Sequence, residues 1–137
     1  MQGVDQITHV LLRIVTGFLF LQHGGQKLFG WYGGTGMPEG SGLPPLMLVA
    51  GILEVVGGIA IMLGLFTRPV AFLLSGEMAV AYFMAHVPNG PMPLQNHGEP
   101  AVLFAFIFLF LAGNGSGGFS IDSVLRRGRA PLAQPAR

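Results

Sequence analysis

The chain has 137 residues, of which 51% are hydrophobic and only 9% charged, with a net charge of +1 and no cysteine. A water-soluble domain typically carries about 25% charged residues, so this composition describes one small domain built for a membrane. The missing cysteines exclude disulfides, thiolate metal sites, covalently attached haem and thiol redox catalysis, and a near-neutral total gives no ground for a nucleic-acid partner.

The first predicted helix covers residues 4–29 and contains RIVTGFLFLQHGGQKLFGWYGG, which places Arg13, His23 and Lys27 in or against apolar sequence. Arg13 interrupts the apolar run and no small-x-small cleavage site follows it, so the segment reads as a retained helix and not a signal peptide. At 100° per residue, Gly17, Phe20, Gly24 and Lys27 fall within about 40° of Arg13, and His23 lies about 80° to one side. The expectation is one polar, glycine-lined stripe facing the interior.

The second helix, 46–66, carries Glu54 among Gly51, Gly57 and Gly58. Small residues there let another backbone come close, which suits an inward Glu54. The tight LFTRPV connection makes helices two and three antiparallel neighbours. The third, 69–87, carries Glu77, Tyr82 and His86. His86 stands half a turn out of phase with Glu77, so it joins the same interior only where the helix bends or unwinds near Pro88. The fourth, 97–113, is the run AVLFAFIFLFLAG entered through HGEP, with Pro100 tolerated in its first turn. A bilayer core of ~30 Å needs about 20 helical residues, and none of these segments has the polar outer face of a soluble bundle.

The loops GWYGGTGMPEGSGLPP and PNGPMPLQNHGEP are rich in Gly and Pro, which end helices and make turns. They share a loose Met-Pro, Gly-x-Pro pattern that fits either two related hairpins or two turn-rich loops. Four crossings put Arg68, Arg126, Arg127, Arg129 and Arg137 on one side and only Lys27 on the other. The positive-inside rule then predicts an inner or plasma membrane protein with both termini cytoplasmic and the two loops outside. The fold expected is all-α, a four-helix transmembrane bundle over residues 1–127, with a disordered cytoplasmic tail over 128–137. Before that tail, Ser120 or Asp122 starts a short capped helix. Its Val124 and Leu125 can dip into the interface while Arg126 and Arg127 meet anionic lipid; equally, the arginines can serve as a topology signal alone.

Arg13, Glu54 and Glu77 each sit deep in a helix, where an isolated ionisable group costs about 2.5–3.5 kcal/mol on insertion scales. Two acids and a base suggest a mutual solution, with Arg13 meeting Glu54, Glu77 or both in forked hydrogen bonds. Such a cluster can simply fix helix pairing, or it can form a proton relay. A second polar group, His23, Lys27, His86, His97 and Glu99, gathers at the outer ends beside Trp31 and Tyr32. It reads either as a solvated rim or as a mouth for a quinone head group or another small ligand; His23, Lys27, His86 and Glu99 are its candidate binding residues. Histidine suits proton exchange because it titrates near neutral pH. His23 and His86 on different helices could in principle hold a haem. No HxxxH, HExxH or Met-x-x-Met spacing supports that or copper, so no metal is assigned. GGTG and GNGSGG lack the strand–loop–helix context of phosphate loops and are turns.

Arg13-x3-Gly17 followed by His23-Gly24-x2-Lys27-Leu28-Phe29-Gly30 resembles the first-helix signature of the DoxX family of small four-helix membrane proteins. Glu54-Val55-Val56-Gly57-Gly58, Leu63-Gly64-Leu65-Phe66-Thr67-Arg68, then Met78, Ala81 and His86, Gly98-Glu99, Gly113-x-Gly115 and Ser120-Ile121-Asp122 continue the resemblance over about residues 8–127. The resemblance implies Arg13, His23, Lys27, Glu54 and Glu99 as the shared polar positions; Glu77 has no counterpart in it and rests on depth alone. Relatives include the small membrane subunit of a thiosulfate:quinone oxidoreductase, scaffolds linking superoxide dismutase to sulfurtransferase, and proteins of quinone and electrophile detoxification. Some carry a redox-active cysteine pair, a route closed to this chain. The function implied is a subunit or accessory of a quinone-linked oxidoreductase, with quinone as the possible cofactor and a redox subunit or a second copy as partner. The alternatives are a non-catalytic membrane scaffold or a small-molecule transporter.

Overall fold

The computed structural model describes residues 3–38 and 40–128, and among them every regular element is helical. Helix α1 spans Gly3–Phe29 and ends in a single 3₁₀ turn, Trp31–Gly33. Helix α2 spans Pro45–Leu63, α3 spans Thr67–Ala81, α4 spans Glu99–Asn114 and α5 spans Ile121–Gly128. Of the predicted tail over 128–137, Gly128 belongs to α5 and 129–137 lie outside the described residues.

The ends of these helices follow from backbone chemistry. Pro45 opens α2 at a position where its missing N–H is not needed. Gly64, at φ 66°, closes α2 three residues before the predicted end. Its N–H bonds the Ile61 carbonyl at 3.1 Å and the Leu65 N–H bonds the Ala60 carbonyl at 2.9 Å, the paired bonds of a Schellman cap. Beyond Ala81, α3 continues as a π-helical segment, Tyr82–His86, and a 3₁₀ turn, Val87–Asn89. The wider π turn changes the phase of every later side chain. Pro100 stands in the first turn of α4, as the sequence predicts.

Three stretches are long and apolar enough to cross a membrane: Gly3–Phe29, Pro45–Leu63 and Thr67–Asn89. Helix α4 is equally apolar but has 16 residues, about 24 Å of helix at 1.5 Å per residue. Large apolar side chains face outward on all four helices, including Phe18, Val56, Phe72 and Phe106. The buried centre is small. Phe20 packs edge-on against Phe108 with ring centroids 4.8 Å apart, and Ile61, Leu74 and Leu111 complete it.

The main packing partners are α1 with α2 and α3 with α4. The α1–α2 contact is backbone against backbone. A Cβ added at Gly17 would stand 2.7 Å from the Gly58 carbonyl oxygen, and one at Gly24 would stand 2.7 Å from the Val55 nitrogen. Glycine is required at both positions because the helices have no room for a methyl group. The pairing sets residue 17 level with 58 and residue 24 level with 51, an antiparallel register that everything below uses.

Helix α5 folds back onto the α2–α3 turn. Ser120 caps it, its Oγ accepting from the Ser123 N–H at 3.1 Å. Asp122 reaches the other way and caps α3: its Oδ1 accepts from the Phe66 N–H at 2.8 Å and its Oδ2 from the Thr67 N–H at 2.9 Å. The Asp122 N–H in turn donates to the Gly64 carbonyl at 2.9 Å. Burial alone would raise the Asp122 carboxyl, but the Thr67 and Phe66 amides and the Arg126 charge outweigh it and hold the carboxyl below its ordinary range. A depressed carboxylate contributes stability that is complete above its unfolded value of about 4 and is lost as pH falls through the lower folded value. Hydrogen exchange across 121–128 is therefore expected to stay protected down to about pH 4 and to rise below it. Asp122→Asn should expose the segment at neutral pH as well; unchanged exchange in that variant would remove the carboxylate from this role.

Candidate functional site

The buried polar groups separate into two centres at opposite ends of α1. Lys27 and Arg13 are fourteen residues apart on one helix, about 21 Å at 1.5 Å per residue. The register with α2 decides what each can meet. Gly51 lies against Lys27, since a Cβ there would stand 3.3 Å from the Lys27 Cβ. One turn further along α2, Glu54 comes within reach of the Lys27 ammonium. Arg13 instead lies beside Gly64, at the far end of α2.

At the first centre, Lys27 Nζ donates to both Glu54 oxygens, each at 2.6 Å. The Glu54 side chain is 3% exposed and that of Lys27 22%, so the pair is largely dry. Glu77 of α3 stands near enough for the charges of Glu54 and Lys27 to act on it. Both of its carboxyl oxygens are buried, and neither has a hydrogen-bond partner among the described residues. The centre therefore sets one ammonium against two carboxyl groups, one satisfied and one not.

At the second centre, the expected fork between Arg13 and the acids does not form. Arg13 is 1% exposed and donates through one terminal nitrogen to the Ser116 carbonyl and through the other to the Phe119 carbonyl, the latter at 2.9 Å. It ties down the chain after α4. The reason is depth: the register holds Arg13 some ten residues of α2 away from Glu54. A relay through Arg13, Glu54 and Glu77 is thus not continuous, and only its two acids stay together.

The outer group is also divided. Lys27 turns inward, but His23 is exposed and packs edge-on against Phe104 of α4, with centroids 5.8 Å apart. It lines a side cavity of about 250 Å³ with Gln22, Gln26 and Tyr32. His86 Nδ1 lies 3.1 Å from the Asn96 carbonyl oxygen and its ring stacks on Tyr82. The π turn aims it at the α3–α4 loop, without any bend at Pro88 bringing it to Lys27. Buried Asn96 organises that loop through the Gly90 carbonyl and the Gly98 N–H. Glu99 is exposed in the first turn of α4, where a carboxylate complements the helix dipole. The cavity beside His23 is not lined by Lys27, His86 or Glu99. Among the described residues, no group of three or more His, Asp or Glu side chains could hold a metal ion.

Sequence reasoning passed over His9. It is 4% exposed, and its Nε2 donates to the Gly115 carbonyl at 2.9 Å, one turn before Arg13 on the same face. The spacing His9-x3-Arg13 was the available signal, since two polar side chains four apart on a lipid-soluble helix share a face.

A family model, DoxX, matches residues 8–87. An uncharacterized protein of Haemophilus influenzae is 43% identical, with the alignment covering 82% of this chain and 86% of the relative. The inner membrane protein YqjF of Escherichia coli is 29% identical over 93% of this chain and 98% of its own length. The putative oxidoreductase CatD of Bacillus subtilis is 29% identical over 90% and 91%. No solved structure matches.

Removing one member of a buried ion pair strands the other, at a cost of about 3–5 kcal/mol. Glu54→Gln is expected to lower thermal stability in detergent by about that amount or to abolish accumulation. Replacing Lys27 and Glu54 together by Met should recover most of the loss, because neither member of the pair is then stranded. A double variant as unstable as the sum of the single ones would show that the two side chains do not act as a pair.

Proposed function

The chain belongs to the DoxX family, and from that premise we propose that this membrane protein is a subunit or accessory of a quinone-linked oxidoreductase system. The observation that carries the reading is Glu77, a carboxyl buried among the helices with both oxygens unpartnered, beside the Lys27–Glu54 pair. An ionisable group inside a membrane protein is costly and marks a functional site by default. A quinone head group presents carbonyl oxygens that accept hydrogen bonds, and its reduction consumes two electrons and two protons. Glu77 and Lys27 supply hydrogen-bonding and proton-handling groups at one place. A partner redox protein supplies the electrons, since the chain has no thiol. The name of the B. subtilis relative, a putative oxidoreductase, points the same way. The site proposed is narrower than the outer mouth of His23, Lys27, His86 and Glu99, and centres on Lys27 and Glu77.

In this reading α4 is the fourth crossing, with the bilayer thinned locally to suit its length, and both termini are cytoplasmic. Arg68, Arg126 and Arg127 then lie on the cytoplasmic side. A scaffold role is the second reading. It is favoured by Arg13 and Asp122, whose bonds serve only to hold the C-terminal segment on α1 and α3.

Glu77→Gln keeps the shape of the side chain and removes its proton chemistry. The expected result is loss of quinone-dependent activity in membranes by about 100-fold, the scale of a general acid–base group, with insertion and helix content unchanged. Full activity in that variant would refute the quinone reading and leave the scaffold. Because the chain lacks cysteine, Ser41→Cys and Ser123→Cys can be labelled singly on intact cells. Ser41→Cys should react from outside and Ser123→Cys only after permeabilisation; the reverse pattern overturns the topology.

A further inference from the structure

The Arg13 centre contains a buried charge with no carboxylate in contact among the described residues. Among the described residues the ion pair that forms is Lys27–Glu54, and Arg13 meets only carbonyl oxygens. A guanidinium offers five N–H donors. The Ser116 and Phe119 carbonyls take two, and Nε is buried with no partner. The Asp122 charge acts on Arg13 from a distance, but both of its oxygens are committed to the Phe66 and Thr67 amides and leave the Arg13 N–H donors unmet. A buried cation with an unmet donor is costly unless an acceptor joins it.

Arg13 forms part of the wall of a cavity of about 640 Å³ between α1, the end of α2 and α5. A second cation, Arg127, stands in the same wall with the hydroxyl-bearing Ser123, and no carboxylate does. Gln6 and Ser120 add two neutral polar groups and the rest of the lining is apolar; Ile14, Leu63 and Val124 are 38%, 49% and 67% exposed, so the cavity opens onto the outward apolar surface of the helices. Basic at one end and greasy along its length, it has the chemistry of an amphiphile with an anionic head. A free anion has no use for the apolar walls, and a neutral lipid leaves Arg13 and Arg127 uncompensated.

We propose that this cavity is a binding site for an anionic phospholipid, whose phosphate meets the exposed Arg127 beneath α5 with the buried Arg13 charge behind it and whose acyl chains lie along Ile14 and Leu63. Helix α5 then acts as a cover. Asp122 holds it on the α2–α3 turn through its carboxylate and its N–H, and Arg127 on its far end meets the head group. This differs from a general attraction of basic residues to an anionic surface, because Arg126, the neighbour of Arg127, is not in the cavity wall.

The test uses the purified full chain in neutral detergent, titrated with phosphatidylglycerol or phosphatidylcholine of the same acyl length and followed by native mass spectrometry. Phosphatidylglycerol should bind at least about tenfold more tightly, the scale of a hydrogen bond to a charged group. Arg127→Gln, a change at an exposed position, should weaken that binding by about tenfold. Arg126→Gln, with the same change in net charge, should cost clearly less. Equal binding of the two lipids overturns the proposal, and so do equal losses in the Arg126 and Arg127 variants, which would signal unspecific surface attraction. Inorganic phosphate that displaces the lipid at equal concentration also overturns it, because the site would then take a free anion.

Discussion

The close antiparallel contact of α1 and α2 governs the rest of the molecule. Gly17 and Gly24 face Gly58 and Gly51 with no room for a Cβ, so the register of the two helices cannot slip without a collision of backbones. In a membrane this matters more than in water. Lipid is as apolar as the helix surfaces, and association depends on packing and polar contacts in place of the hydrophobic effect. Once residue 24 is level with 51, the partners of every charge on α1 are decided. Lys27 falls within a side chain's length of Glu54, and Arg13 falls at the turn that follows α2.

That register also explains why the two ends of the protein differ in character. Around Lys27 the charges are few and nearly dry, and one carboxyl, Glu77, is left over. Around Arg13 the chain spends its polar groups on backbone. His9 and Arg13 hold the carbonyls of Gly115, Ser116 and Phe119, and Asp122 caps α3. Carbonyls released at the end of α4 would otherwise lie unsatisfied at the edge of hydrocarbon, which is costly. The end of the molecule rich in backbone bonds is the structural one, and the end with the spare carboxyl is where chemistry is proposed.

Much of the architecture was legible from residue order. Apolar runs of membrane length, Gly/Pro-rich loops and the ordered motifs from Arg13 to Asp122 pointed to the helices and to the DoxX family, although α2 ends three residues early at Gly64 and α3 gives way to a π turn after Ala81. The site was legible only in part. Depth along each helix suggested that Arg13, Glu54 and Glu77 belong together, but depth counted from each helix's own ends ignores how neighbouring helices are offset. Helical phase placed His23 on the Arg13 stripe, although an 80° deviation is enough to turn it to the α4 side, against Phe104. Phase set His86 half a turn from Glu77 and made its place depend on an unwinding near Pro88; the unwinding is a π turn over Tyr82–His86, which breaks the 100° rule and leaves His86 on the α3–α4 loop.

By itself, then, the sequence determined that this is a helical membrane protein, roughly where its helices lie, and which ionisable groups must find partners away from water. These are properties of local composition, read within one helix at a time. Only the tertiary structure decided who partners whom: Lys27 with Glu54, Arg13 with the chain after α4, and Glu77 with neither. Those pairings depend on the offset between two helices, and that offset is fixed by glycines whose absent side chains have meaning only when the opposing backbone is in place.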